Sequence, residues 1–317
     1  MDLIPDTAPH WHIFLTHVPI VGAIFGLALL IASYVIKSDH LRRASLVTFV
    51  LLTLIVIPTF ITGSATRWEI GNDPGVSLDL MAAHQDLALW SLIFLSFTGV
   101  LSWFALWHYR RSSGPHDWNI HAVLVLALIS MFILLNTGSI GGTISRPDMQ
   151  SAEDLQAVAG QAEEGLNAAI EEAIISGAWA WPAMEAAHFV GMAVLFGVVI
   201  IVTLRTLGIA RVIPFSAVHR LLPLGVLGFF VNSVTGMLFF IADSGRYTAM
   251  TNSFFPKIAL IVIGGICVLY FTIFDTPWNV KKNEDGPVQA KAIAALTLVL
   301  WAGVIVYGRL LPYLEGG

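Results

Sequence analysis

The sequence predicts an all-α protein, a polytopic membrane bundle of eight transmembrane helices in two four-helix halves. Three observations lead there. The 317 residues are 56% hydrophobic and only 12% charged, where a soluble domain carries about 25% charged residues. Mean hydropathy is +0.79. Eight apolar runs each approach the ~20 residues needed to cross a bilayer.

The runs fall at 13–36, 44–64, 83–107, 119–141, 182–204, 217–242, 256–275 and 289–311. Basic residues orient them. Lys37, Arg42, Arg43, Arg110, Arg111, Arg205, Arg211, Arg220, Lys281, Lys282 and Lys291 share one side, 11 of the 16 Lys and Arg. That side is read as cytoplasmic, which puts both termini outside, in the periplasm of a bacterial inner membrane. Tryptophans agree with this assignment. Trp11, Trp68, Trp179 and Trp181 fall at outer ends; Trp107, Trp118 and Trp278 fall at inner ends. The N-terminus, MDLIPDTAPHWH, is acidic and lacks the basic start of a cleavable signal, so the first span is expected to direct its own insertion.

Residues 1–146 form the first half and 182–317 the second. The stretch 147–181 between them is the one long outer loop. It has helical periodicity and seven acidic residues from Asp148 to Glu172. A short amphipathic helix at the outer surface is expected there, either a solvated connector or an acidic dock for a basic redox partner.

Composition excludes several chemistries. The single cysteine, Cys267, rules out an internal disulfide framework, a cysteine zinc site and a four-thiolate iron–sulfur cluster. No Cys-x-x-Cys-His occurs, so haem could not be attached in the c-type manner. The net charge of −5 is small and says nothing about nucleic acid, and no basic patch suggests it.

Histidines carry the functional signal. The first span opens WHIFLTHVPIVGAIFG, with His12 and His17 ahead of Pro19. His84 and His188 recur near the outer ends of the third and fifth spans. An ionisable residue inside an apolar span is costly and needs a partner.

Two resemblances bear on this. His12-x-x-x-x-His17-Val18-Pro19-Ile20 resembles a bacterial four-span family of unknown function whose first span begins His-Pro-x-x-Val-His-Phe-Pro-Ile. Ile13 and Val18 depart from that pattern. Thr62-Gly63, His84 and the run Gly138 to Ile144 are similar as well, so the likeness covers residues 10–146. The second half more loosely resembles a four-span family related to copper-resistance D membrane proteins. His188-Phe-Val-Gly-Met, Thr235-Gly236 and Asn252 to Lys257 carry that likeness. Both resemblances imply redox or metal work and fix no activity.

A b-type haem in a helix bundle needs two axial side chains at equal depth on facing helices. By linear count His17 and His84 meet that condition and form the expected axial pair. Arg67 and Arg146, at the same face, are candidates for the haem propionates. The bland alternatives are a His17 bonded to a backbone carbonyl and an interfacial His84. His12 lines the outer vestibule or joins the ligands.

His188 marks a second site. Its candidate partners are Met237, the first-half histidines, or no sixth ligand at all, with Arg246 and Lys257 near propionates. Met237 by itself reads as core packing. His121 and His219 are a weaker pair at the inner face. Glu185, one turn before His188, and Asp86, near His84, are candidate proton-transfer carboxylates.

The reading that follows is a membrane b-type cytochrome with one or two haems. It would act as an electron-transfer subunit of an oxidoreductase complex, working between the quinone pool and an outer redox subunit or soluble cytochrome. Alternatives are a transporter of copper or another solute, and a non-catalytic membrane anchor.

Overall fold

The computed structural model describes residues 5–111, 114–146, 150–277 and 279–311. Asp148 and Trp278 lie outside the described residues. Among the described residues the protein is all-helical, and eight helices are long and apolar enough to cross a membrane. The chain divides into two compact units. Unit 1 comprises residues 1–105, 115–181 and 239–248; unit 2 comprises 106–114, 182–238 and 249–317.

Unit 1 is built on α1 (Ala8–Ile36), α2 (Asp39–Ile70), α3 (Leu78–Arg111, to residue 105) and α4 (Asp117–Ser145). The helices outrun the apolar stretches at both ends, because caps rather than hydropathy stop them. Lys37 adopts a left-handed conformation after α1, and Ser38 caps α2 by accepting the Leu41 amide at 3.4 Å. Short connections make successive helices antiparallel. Consequently the start of α1, the end of α2, the start of α3 and the end of α4 share one end of the bundle.

Small and hydroxylated residues bring these helices together, as expected where apolar side chains alone gain little by leaving lipid. The Ser45 hydroxyl donates to Gly26 O at 2.7 Å, joining α2 to α1. Thr53 on α2 donates to Leu95 O on α3 at 2.8 Å. This closeness requires Gly99, where a Cβ would lie 1.8 Å from Thr53 Oγ1. Ser91–Thr137 and Thr98–Ser130 link α3 to α4. α1 also packs on α4, closing the four-helix arrangement.

The acidic loop folds as α5 (Ala152–Ala157), α6 (Gln161–Glu164) and α7 (Leu166–Ser176), rather than one helix. Gly160 in a left-handed conformation and extended Gly165 break it. α5 carries a capping box between Ser151 and Asp154, which holds the Asp154 carboxyl below its usual range. Two carboxylates of α3 anchor the rest. Asp79 accepts the Ala162 amide, and Asp86 accepts the amides of Leu166 and Asn167 and the Asn167 side-chain amide.

Unit 2 contains α8 (Ala180–Leu207, from residue 182), α9 (Phe215–Val218), a turn of 3-10 helix (His219–Leu221), α10 (Leu222–Ala242, to residue 238), α11 (Ser244–Ala249, its last residue), α12 (Phe254–Ile273) and α13 (Val288–Leu310). α9 to α10 act as one span, Phe215–Ala242. Gly191 and Gly228 let α8 and α10 touch backbone to backbone, since a Cβ on Gly228 would lie 2.8 Å from Gly191 O. Trp301 of α13 fills the space over Gly264 of α12. At the end of α8, Arg205 is fully buried and donates to the carbonyls of Ile213 and Lys281. It therefore pins two connections, as well as adding to the basic side. Large apolar residues such as Val35, Phe132 and Val299 are exposed along the spans, as a lipid-solvated surface requires.

Candidate metal or haem site

At the shared end of unit 1, the second turns of α1 and α3 bring the rings of His12 and His84 beside each other. Their ring centroids are 6.1 Å apart and their planes stand at 88°. His12 Nδ1 lies 3.1 Å from Thr59 O, and 3.4 Å from Thr62 Oγ1. His84 Nδ1 lies 3.0 Å from Thr137 O. A carbonyl only accepts, so both Nδ1 atoms carry hydrogen and donate. In the neutral rings the lone pairs are then on Nε2, the form in which histidine binds metals.

Glycines make room for both rings. A Cβ on Gly63 would come within 2.8 Å of His12 Cε1, and one on Gly141 within 2.9 Å of His84 Cε1. Beside the pair lies a cavity of about 460 Å³, lined by His12, His17, Arg67, His84, Gln85 and Gly141 among others. Its size suits a cofactor-sized ligand. Arg67 reaches it while donating to Gln85 Oε1 at 2.8 Å, and Gln85 in turn donates to Ser64.

His12 and His84 are the residues of this end of unit 1 that could hold a metal ion or a metal-containing cofactor, through the Nε2 atoms that their Nδ1 bonds leave as lone-pair donors. Among the described residues, no group of three or more His, Cys, Asp or Glu side chains is placed to hold a metal ion.

The other candidates are distributed as follows. His17 is exposed, and its Nδ1–H donates to Ile13 O of its own helix at 2.8 Å, although the residue lines the cavity. The rings brought beside each other are thus those of His12 and His84, not of His17 and His84. Arg146 is exposed at the C-cap of α4. Asp86 is engaged at the start of α7. His121 stacks on Tyr34, their centroids 5.9 Å apart.

Arg246 is exposed, 4.0 Å from Asp243, and belongs to unit 1. Beside it, burial raises the Tyr247 hydroxyl above its ordinary range, an effect Arg246 opposes. In unit 2, His188 Nδ1 lies 2.7 Å from Thr235 Oγ1. Met237 is buried and Glu185 exposed. His219 is fully buried and stacks on Trp107, in planes 7° apart.

Sequence reasoning gave Gly63 and Gly141 no role of their own. Their signal is present in Thr62-Gly63 and Gly141-Gly142, yet it acquires meaning only with the facing histidines. Comparison of the chain with protein-family models, with curated proteins and with solved structures yields no match.

Proposed function

We propose that this chain is a b-type haem protein of a bacterial inner membrane. In this reading it passes electrons between the quinone pool and a redox partner at the outer face, as one subunit of an oxidoreductase complex. The observation that carries the reading is the facing pair His12–His84, each ring oriented by a backbone carbonyl and seated on a glycine.

Haem, when bound, supplies one-electron redox chemistry. The residues of the chain do the rest. His12 and His84 would hold it through Nε2. The carbonyls of Thr59 and Thr137 fix their tautomers and raise their basicity. Arg67, held by Gln85, offers a cation to the propionates. The apolar residues of α1 to α4 keep water from the site and support its potential.

The acidic helices α5 to α7, anchored by Asp79 and Asp86 on α3, offer a negative surface to a basic partner. The reading is tested by the reduced-minus-oxidised absorption spectrum of the detergent-purified chain. A b-type α-band supports it. A well-folded preparation without haem overturns it.

A further inference from the structure

The cavity of unit 1 has a lateral mouth between α1 and α4. At the inner edge of this mouth the two helices touch, since a Cβ on Gly138 would lie 3.3 Å from Ile20 Cδ1. One turn nearer the shared end they part. Gly142 follows Gly138 on the same helix face, and nothing lies within 4 Å of the place its Cβ would take. Thr16 and His17, one turn before Ile20, stand on the α1 side, and Ser145 lies beyond Gly142; all four line the cavity. His17, Gly142 and Ser145 are exposed. The surface around them is apolar, with Phe14, Val18 and Val21 of α1 and Leu135 of α4 exposed. By helical rise His17 lies roughly 9 Å deeper along α1 than the interfacial Trp11. The mouth therefore faces lipid rather than water.

Its polar groups have already committed their hydrogens. His17 Nδ1–H donates to Ile13 O at 2.8 Å, and the Thr16 hydroxyl donates to the same carbonyl at 2.9 Å. The Ser145 hydroxyl donates to Gly141 O at 3.0 Å. What remains is His17 Nε2, in the neutral ring, and two hydroxyl oxygens, all of them acceptors. Acceptors turned to lipid without a donor are costly. The mouth thus suits a lipid-soluble molecule that brings its own O–H. A phosphate or carboxylate head group offers further acceptors and does not match. An oxidised quinone, with carbonyls alone, does not match either.

We propose that the mouth between α1 and α4 binds a membrane-borne quinol, whose hydroxyl donates to His17 Nε2. This rests on the reading that the chain draws on the quinone pool, and it gives that reading a binding site. His17, which stands apart from the His12–His84 pair, becomes the residue that positions the quinol.

The test uses the full chain in lipid nanodiscs under anaerobic conditions, with binding read by scintillation proximity. The probe is tritiated decylubiquinol, added to chain reduced beforehand so that the quinol is not oxidised. Decylubiquinone is measured on the oxidised chain and should bind about tenfold more weakly. His17→Phe and Gly142→Leu should each weaken quinol binding by about tenfold or more, with the haem count unchanged. His17→Gln, whose side-chain carbonyl also accepts, should retain most of the affinity, and so should His12→Ala/His84→Ala. Quinol binding that survives both His17→Phe and Gly142→Leu overturns the proposal. So does wild type that binds neither form, or both equally. Displacement by an equal concentration of dodecanol also overturns it, by assigning the mouth to any membrane-borne hydroxyl. Haem in a chain that binds no quinol leaves the His12–His84 reading standing. Quinol binding at His17 in a chain without haem overturns that reading alone.

Discussion

His12 and His84, on α1 and α3, stand with their rings perpendicular and their centroids 6.1 Å apart. Each ring donates from Nδ1 to a carbonyl of the next helix, Thr59 for His12 and Thr137 for His84. Two histidines thus share tautomer, depth and direction. An isolated structural histidine needs only the first of these. Their agreement is what supports the proposal that the pair is a ligand set.

The glycines beneath the rings should be intolerant of a methyl group. Gly63→Ala would bring a Cβ within 2.8 Å of His12, and Gly141→Ala within 2.9 Å of His84. Overpacking of this kind costs about 1–3 kcal/mol. Each variant should insert and fold, yet lose haem affinity by roughly tenfold or more, about the effect of disturbing a ligand's supporting shell. Haem titration of the apoprotein checks this. Undiminished affinity in both variants would count against the seat described.

Arg67 should tune the site rather than build it. Its guanidinium lines the cavity and bonds to Gln85. Arg67→Gln removes a cation beside the propionates, so the oxidised haem is relatively stabilised and the potential falls, by on the order of tens of millivolts. Spectroelectrochemistry measures this. The haem count should stay at the wild-type value.

Asp86 is expected to act as an anchor. It accepts three hydrogen bonds from Leu166 and Asn167 at the start of α7. Asp86→Ala leaves those donors unsatisfied, at about 1–3 kcal/mol. Amide exchange across residues 161–176 should quicken by roughly tenfold or more while the haem spectrum stays unchanged. A role in proton transfer would instead alter the pH dependence of reduction and leave α7 protected.

Gly99 should be the most sensitive packing position of unit 1. A Cβ there would lie 1.8 Å from Thr53 Oγ1, whose hydroxyl bonds to the backbone of α2 and α3. Gly99→Leu should therefore lower the thermal midpoint in detergent by several degrees or prevent folding, because α2 and α3 must separate. Thr53→Ala combined with Gly99→Ala should recover part of the loss, since the clashing hydroxyl is gone.

Much of the architecture is legible in the sequence. Apolar runs of the right length yield all eight spans, because length and hydropathy are local properties. Their ends were less legible. α2 begins at Asp39 and ends at Ile70, well outside its apolar stretch at 44–64, since Ser38 and the helical hydrogen bonds hold the polar turns. His84 was legible as a candidate from its depth. His12 and His17 could not be ranked by depth. Five residues apart, they point roughly 140° apart around a helix of 3.6 residues per turn. Only the packing of α1 on α2 and α4 decides which one turns inward. The partners of Asp86 were illegible for a different reason. Its partners lie at Leu166 and Asn167, a pairing that no local pattern announces.

The most direct test is the reduced-minus-oxidised spectrum, with a haem count, of the purified wild type beside His12→Ala, His17→Ala and His84→Ala. A b-type α-band should appear in the wild type and persist in His17→Ala. In His12→Ala and His84→Ala it should lose the contribution of the first site. Absence of haem from well-folded wild type would contradict the central claim. So would a band that fails with His17→Ala and survives His12→Ala.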